Sequence, residues 1–123
     1  MGFACCLIVD DDKFSRTFTK TALYQIGIKN TKEAIDLLHS FKIDIILLDQ
    51  QMPEQSGLDL AKEIKSGALE GIQNAPIIMV TVDTKEKTVL DAKGIGIQEY
   101  LVKPISPLAL KKRIRTAYCN KQA

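Results

Sequence analysis

Residues 4–9, 43–48 and 77–81 are runs of apolar or β-branched side chains, interrupted only at Asp44, and 99–102 is a shorter run that opens on Glu99. Runs of this length without polar alternation are expected of strands covered on both faces of a parallel sheet. Between them, apolar positions recur at helical spacing. Phe14, Phe18, Ala22 and Ile26 predict a helix over 13–26 with these four residues turned inward, and Gly27 follows as a stop. Asn30 with Glu33 reads as a capping box for a helix running to about Ser40. Leu58, Ala61 and Ile64 predict a helix over 57–66, closed by Gly67. Asp83 with Glu86 caps another that ends near Gly94, and Ser106 followed by Pro107 starts the last.

Strands alternating with helices imply right-handed βαβ units and an α/β fold with a doubly wound parallel sheet. Ligands of such sheets bind in the crevice at the carboxyl ends of the strands. The residues just after each strand therefore carry the functional question. The length of 123 residues fits a single domain spanning 1–123.

Composition narrows the class. At 46% hydrophobic and 26% charged the chain reads as an ordinary globular domain. No apolar run has the length of a membrane span, and no signal peptide is legible, so a cytoplasmic location is expected. A formal charge of +2 gives no reason to expect nucleic acid. Acidic residues crowd the first loop, while Lys111, Lys112, Arg113, Arg115 and Lys121 gather near the C-terminus, where they suit a solvated helix face. Cys5 and Cys6 are neighbours on a strand and so point to opposite faces, which suits buried thiols and not a disulfide or a shared metal. His39 lies late in a predicted helix without acidic company, as a surface or packing histidine would.

At the strand ends stand Asp10, Asp11 and Asp12, then Asp49, then Thr81, then Lys103 and Pro104. Singly, each has an ordinary explanation as turn, cap or strand residue. Together they make one site. Clustered carboxylates repel unless a hard cation neutralises them, and Mg²⁺ favours a few carboxylates, waters and a phosphate. An ionised Asp49 is a nucleophile for phosphorus, and Lys103 would offset charge on the transferring oxygens. Thr81 offers a hydroxyl to a phosphoryl oxygen.

In these residues the chain resembles the receiver domains of two-component response regulators, chemotaxis regulators among them. The resemblance rests on Leu7-Ile8-Val9-Asp10-Asp11, on Leu47-Leu48-Asp49 with Met52-Pro53 and Gly57, on Met79-Val80-Thr81, and on Tyr100-Leu101-Val102-Lys103-Pro104. It implies a flavodoxin-like sheet of strand order 2-1-3-4-5 and a phosphoacceptor at Asp49. It further implies Mg²⁺ held by Asp10, Asp11, Asp49 and the backbone carbonyl of Gln51, with Asp12 outside the metal site. Thr81 and Tyr100 would be the switch pair, Lys103 would hold the phosphoryl group, and the Lys103–Pro104 bond would be cis. The implied partners are a histidine kinase or phosphotransfer protein as donor and a downstream protein target. No separate enzymatic activity is implied beyond assistance to the protein's own phosphorylation and dephosphorylation.

Three features depart from the family pattern. Roughly half a dozen residues are missing after Gly27 by comparison with usual loop and strand lengths. Only Ile28 and Lys29 remain for the second strand, so that edge strand is expected to be short or absent. An edge left open on the first strand would favour pairing with a second copy, and so a homodimer. Val82 stands where relatives carry a small residue, which predicts narrowed access and slowed phosphoryl turnover. Gln51 and Asp83 flank the phosphoryl position, Asp83 being the better candidate for a helix cap.

Two other classes of function compete, a pseudo-receiver and a true enzyme of phosphatase or flavodoxin type. A pseudo-receiver would bind partners without phosphorylation. A phosphatase of the haloacid-dehalogenase type needs a second aspartate two positions after the nucleophile, where this chain has Gln51. A flavodoxin needs a phosphate cradle in the first loop, where Asp10, Asp11 and Asp12 would repel one.

Overall fold

The structure is a computed structural model that describes residues 5–33, 43–50, 52, 56–67, 75–82, 94, 96–97 and 99–122, with side chains as far as 117. Its elements in chain order are β1 (Cys5–Val9), α1 (Lys13–Gln25), β2 (Asn30–Glu33), β3 (Ile45–Asp49), α2 (Gly57–Lys65), β4 (Ile77–Thr81), β5 (Glu99–Val102) and α3 (Pro107–Gln122). All five strands are parallel and lie in the order β2-β1-β3-β4-β5.

The three apolar runs became the three inner strands, and every residue of β1, β3 and β4 is buried. Their side chains alternate between two cores. Leu7, Val9, Ile46, Leu48 and Met79 face Ala61 and Ile64 of α2. Cys6, Ile8, Ile45, Leu47, Ile78 and Val80 face Ala22 and Leu23 of α1 and Leu110 and Ile114 of α3. Cys5 and Cys6 fall into opposite cores, both as free buried thiols, and burial pushes the Cys6 thiol well above its ordinary range.

Two expectations are corrected. The edge strand is short, as expected, but it falls on the four residues Asn30–Glu33 and not on Ile28 and Lys29: it pairs in parallel with β1, Cys5 opposite Asn30 and Ile8 opposite Glu33. The residues read as a capping box are therefore strand, and the part of that predicted helix beyond 33 lies outside the described residues. The connection is compact because α1 ends in a Schellman turn. Ile28 N–H donates to Leu23 O at 2.9 Å and Gly27 N–H to Tyr24 O at 3.1 Å, with Gly27 at φ 95°. Ile28 then buries fully, and the chain enters β2 two residues later. An edge strand covered on one side needs little apolar patterning, so Asn-Thr-Lys-Glu gave no strand signal. With β2 in place, β1 has no open edge and the motive for strand exchange between copies falls away.

The second correction concerns α1. Phe14 is 87% exposed and Phe18 55%, while Thr19, Ala22 and Leu23 are buried. A stripe spaced by four drifts about 40° round a helix at each step. The face centred on 19, 22 and 23 meets the sheet, and only the later half of the predicted stripe stays near it. Phe41 and residues 83–93 of the helix predicted to end near Gly94 lie outside the described residues.

Serine caps open the other helices. Ser56 Oγ accepts from Asp59 N–H at 3.2 Å and Ser106 Oγ from Ala109 N–H at 3.1 Å. Lys111, Lys112, Arg113 and Arg115 are exposed on α3, and Arg113 pairs with the buried Glu99 of β5 at 3.4 Å.

Candidate functional site

Four strand ends deliver the site. Asp10 follows β1, Asp49 ends β3, Thr81 ends β4 and Lys103 follows β5. The ladder continues past the strands and fixes these positions: Gln50 N–H donates to Val80 O and Lys103 N–H to Thr81 O, each at 2.9 Å. Asp49 and Thr81 are buried at 5% and 3% exposure, Asp10 is half-buried and Asp11 is exposed.

One carboxylate oxygen from each of Asp10, Asp11 and Asp49 lies within 4.8 Å of the others. Lys103 Nζ stands 3.4 Å from Asp49 Oδ1 and 3.7 Å from Asp10 Oδ2. A single ammonium offsets one of three carboxylate charges, so the cluster retains room, charge and hard oxygen donors for a divalent cation. Asp12 stays outside this cluster and caps α1 instead, its Oδ1 accepting from Phe14 N–H at 3.2 Å. The cis Lys103–Pro104 bond is present.

The structure adds residues that the sequence reading did not single out for this role. Arg16 Nη1 donates to the carbonyl oxygen of Asp10 at 2.8 Å. Gly57 N–H donates to Gln50 O at 2.9 Å, which seats the start of α2 directly on the backbone of the Asp49 segment. A glycine at the first position of a helix was the only sequence hint of that approach.

Tyr100 stands two residues before Val102, the register partner of Thr81, so Tyr100 and Thr81 project from the same face of neighbouring strands. The Tyr100 hydroxyl donates to Ile97 O at 3.4 Å, and burial pushes the phenol upward in pKa. Val82 is 57% exposed and, with Ser15, Phe18, Thr19, Lys103, Pro104 and Ile105, lines a cavity of about 360 Å³ that adjoins the lysine of the acidic cluster. Gln51, Asp83 and His39 lie outside the described residues.

Known proteins resemble this chain in sequence and in fold. The family described as response regulator receiver domain matches residues 6–115. The chemotaxis protein CheY of Pseudomonas aeruginosa is 33% identical over 118 residues, covering 91% of this chain and 94% of the relative. Among solved structures, a two-component response regulator from Clostridium difficile superposes with a TM-score of 0.81 at 25% identity, over 98% of this chain and 99% of the other. The Vibrio cholerae chemotaxis protein CheY4 superposes at 0.80 with 26% identity, over 93% and 98%.

Proposed function

This chain belongs to the response regulator receiver family, and we propose that it works, as one receiver domain, as a switch phosphorylated on Asp49. The donor in this reading is a phosphohistidine on a histidine kinase or phosphotransfer protein. An Asp49 carboxylate oxygen forms a bond to phosphorus as the P–N bond breaks, giving an acyl phosphate and returning the imidazole to the donor. Lys103, already between Asp49 and Asp10, moves its charge onto the incoming phosphoryl oxygens. Thr81 donates its hydroxyl to one of those oxygens. Tyr100, on the same face, follows that movement and changes the surface offered to a downstream protein target.

Asp10, Asp11, Asp49 and the Gln51 carbonyl would hold Mg²⁺, which supplies electrostatic neutralisation of the phosphoryl group when bound. The working compartment in this reading is the cytoplasm. Among the described residues no helix is long and apolar enough to cross a membrane.

The observation that carries the proposal is the convergence of Asp10, Asp11 and Asp49 with Lys103 at one edge of the sheet. Its test is intact mass after incubation with Mg²⁺ and a small phosphodonor, for wild type and Asp49→Asn. One phosphoryl group added to wild type, and absent in the variant or without Mg²⁺, is the expected result. No modification under any condition would move the assignment to a phosphorylation-independent pseudo-receiver that acts through partner binding alone.

A further inference from the structure

Each of the three oxygens of Asp10 has its own partner. Oδ1 accepts from Asp12 N–H at 2.9 Å, Oδ2 faces Lys103 Nζ at 3.7 Å, and the backbone carbonyl accepts from Arg16 Nη1 at 2.8 Å. The third contact reaches beyond Asp10. A peptide unit is planar, so a hold on the Asp10 carbonyl oxygen also sets the plane from which the Asp11 Cα departs. Asp11 is the exposed member of the carboxylate cluster, and its position depends on that plane.

Arg16 is itself aimed by the edge strand. Its Nε lies 3.7 Å from Glu33 Oε1, and Lys20 Nζ lies 3.6 Å from the same oxygen. Glu33 is the last residue of β2 and sits opposite Ile8, two residues before Asp10. The planar guanidinium can serve a carboxylate with one edge and a carbonyl with another, which an ammonium does poorly. From this chain of contacts we infer that Arg16, oriented by Glu33, is a positioning residue for the divalent-cation site. It acts by fixing the Asp10–Asp11 peptide and does not touch the ion. The inference rests on the Mg²⁺ reading above.

Charge and position predict opposite signs here. A cation near an acidic cluster opposes a second cation, so on Coulomb grounds alone the loss of Arg16 should tighten Mg²⁺ binding. Loss of a group that orients ligands typically weakens metal affinity by about 10–100-fold. The positioning role therefore requires weakening.

The experiment is calorimetric titration of the full chain with MgCl₂, without phosphodonor, for wild type, Arg16→Met, Arg16→Lys, Lys20→Met and Asp11→Asn. Lys20→Met removes the same kind of tie between α1 and β2 without touching Asp10, so it reports general loosening. The expected result is a Kd raised about 10-fold in Arg16→Met, partly recovered in Arg16→Lys, and unchanged in Lys20→Met. An unchanged or lowered Kd in Arg16→Met, with Asp11→Asn still impaired, overturns the inference and leaves the cation site standing. Equal weakening in Lys20→Met and Arg16→Met also overturns it, because loosened packing would then account for both. Identical titrations for wild type and Asp11→Asn would bring down the cation site and this inference together.

Discussion

Gly57 stands so close to Asp49 that a Cβ added to it would lie 2.5 Å from the Asp49 carbonyl oxygen and 2.8 Å from the Gln50 Cα. The obstructing atoms are backbone, which has no rotamer to retreat into. Gly57→Ala is therefore expected to lose about 1–3 kcal/mol by overpacking, against a helix-propensity gain of at most about 1 kcal/mol. Urea unfolding gives the stability. Phosphorylation of the folded variant should slow as well, because relief of the clash displaces the Asp49 segment. A variant as stable and as fast as wild type would show that the contact relaxes at no cost.

The orientation of α1 predicts a contrast between two apolar residues. Leu23 is fully buried and Phe18 is more than half exposed. Leu23→Ala should cost about 2–5 kcal/mol, and Phe18→Ser no more than about 0.5 kcal/mol. Chemical denaturation of both variants checks the pair. The reverse order would restore the inward stripe of Phe14 and Phe18.

Val82 forms part of the wall of the cavity that adjoins Lys103. Val82→Ala should widen the approach of water to the acyl phosphate and shorten its lifetime several-fold, on the order of a 1 kcal/mol change in barrier. Stability should stay within about 0.5 kcal/mol because the side chain faces solvent. The decay of the phosphorylated mass with time is the measurement, and an unchanged lifetime would remove Val82 from the account of turnover.

Cys6 carries a prediction for alkaline pH. Burial raises its thiol pKa in the folded state, so the neutral form is favoured there. The associated stability is present in full below the unfolded thiol's pKa of about 8.5 and is lost as pH rises toward the folded value. Above about pH 9 the slope from this one group approaches 1.4 kcal/mol per pH unit. The stability difference between wild type and Cys6→Ala should therefore shrink between about pH 8 and pH 10. Urea midpoints at the two pH values decide it.

Much of this was legible from the sequence, for identifiable reasons. Strands buried on both faces need unbroken apolar runs, which announced β1, β3 and β4 with no partner information. The ends of these runs, and of the shorter run that became β5, then gave Asp10, Asp49, Thr81 and Lys103, because topology alone places strand ends together. β2 was legible only as a short edge strand of the implied order and not at its true position, since Asn30–Glu33 is held by its ladder with β1 and not by side-chain burial. The inward face of α1 was misjudged at Phe14 and Phe18 because the sheet, not the helix, decides which side is covered. Arg16 and Glu33 could not be joined from the sequence. They meet only after α1 folds back beside a strand whose position the sequence did not reveal.

The acidic cluster and its lysine come from three stretches, Asp10–Asp11, Asp49 and Lys103, far apart in the chain and on separate βα units. No fragment carries them all, so the site exists only while β1, β3 and β5 are held in register. Any ligand seated there acts as a clasp on the whole sheet, favouring the assembled chain by mass action in proportion to the logarithm of its concentration over Kd. The event that signals would then also be the event that protects the protein from unfolding. Resistance to proteolysis would rise and fall with its signalling state.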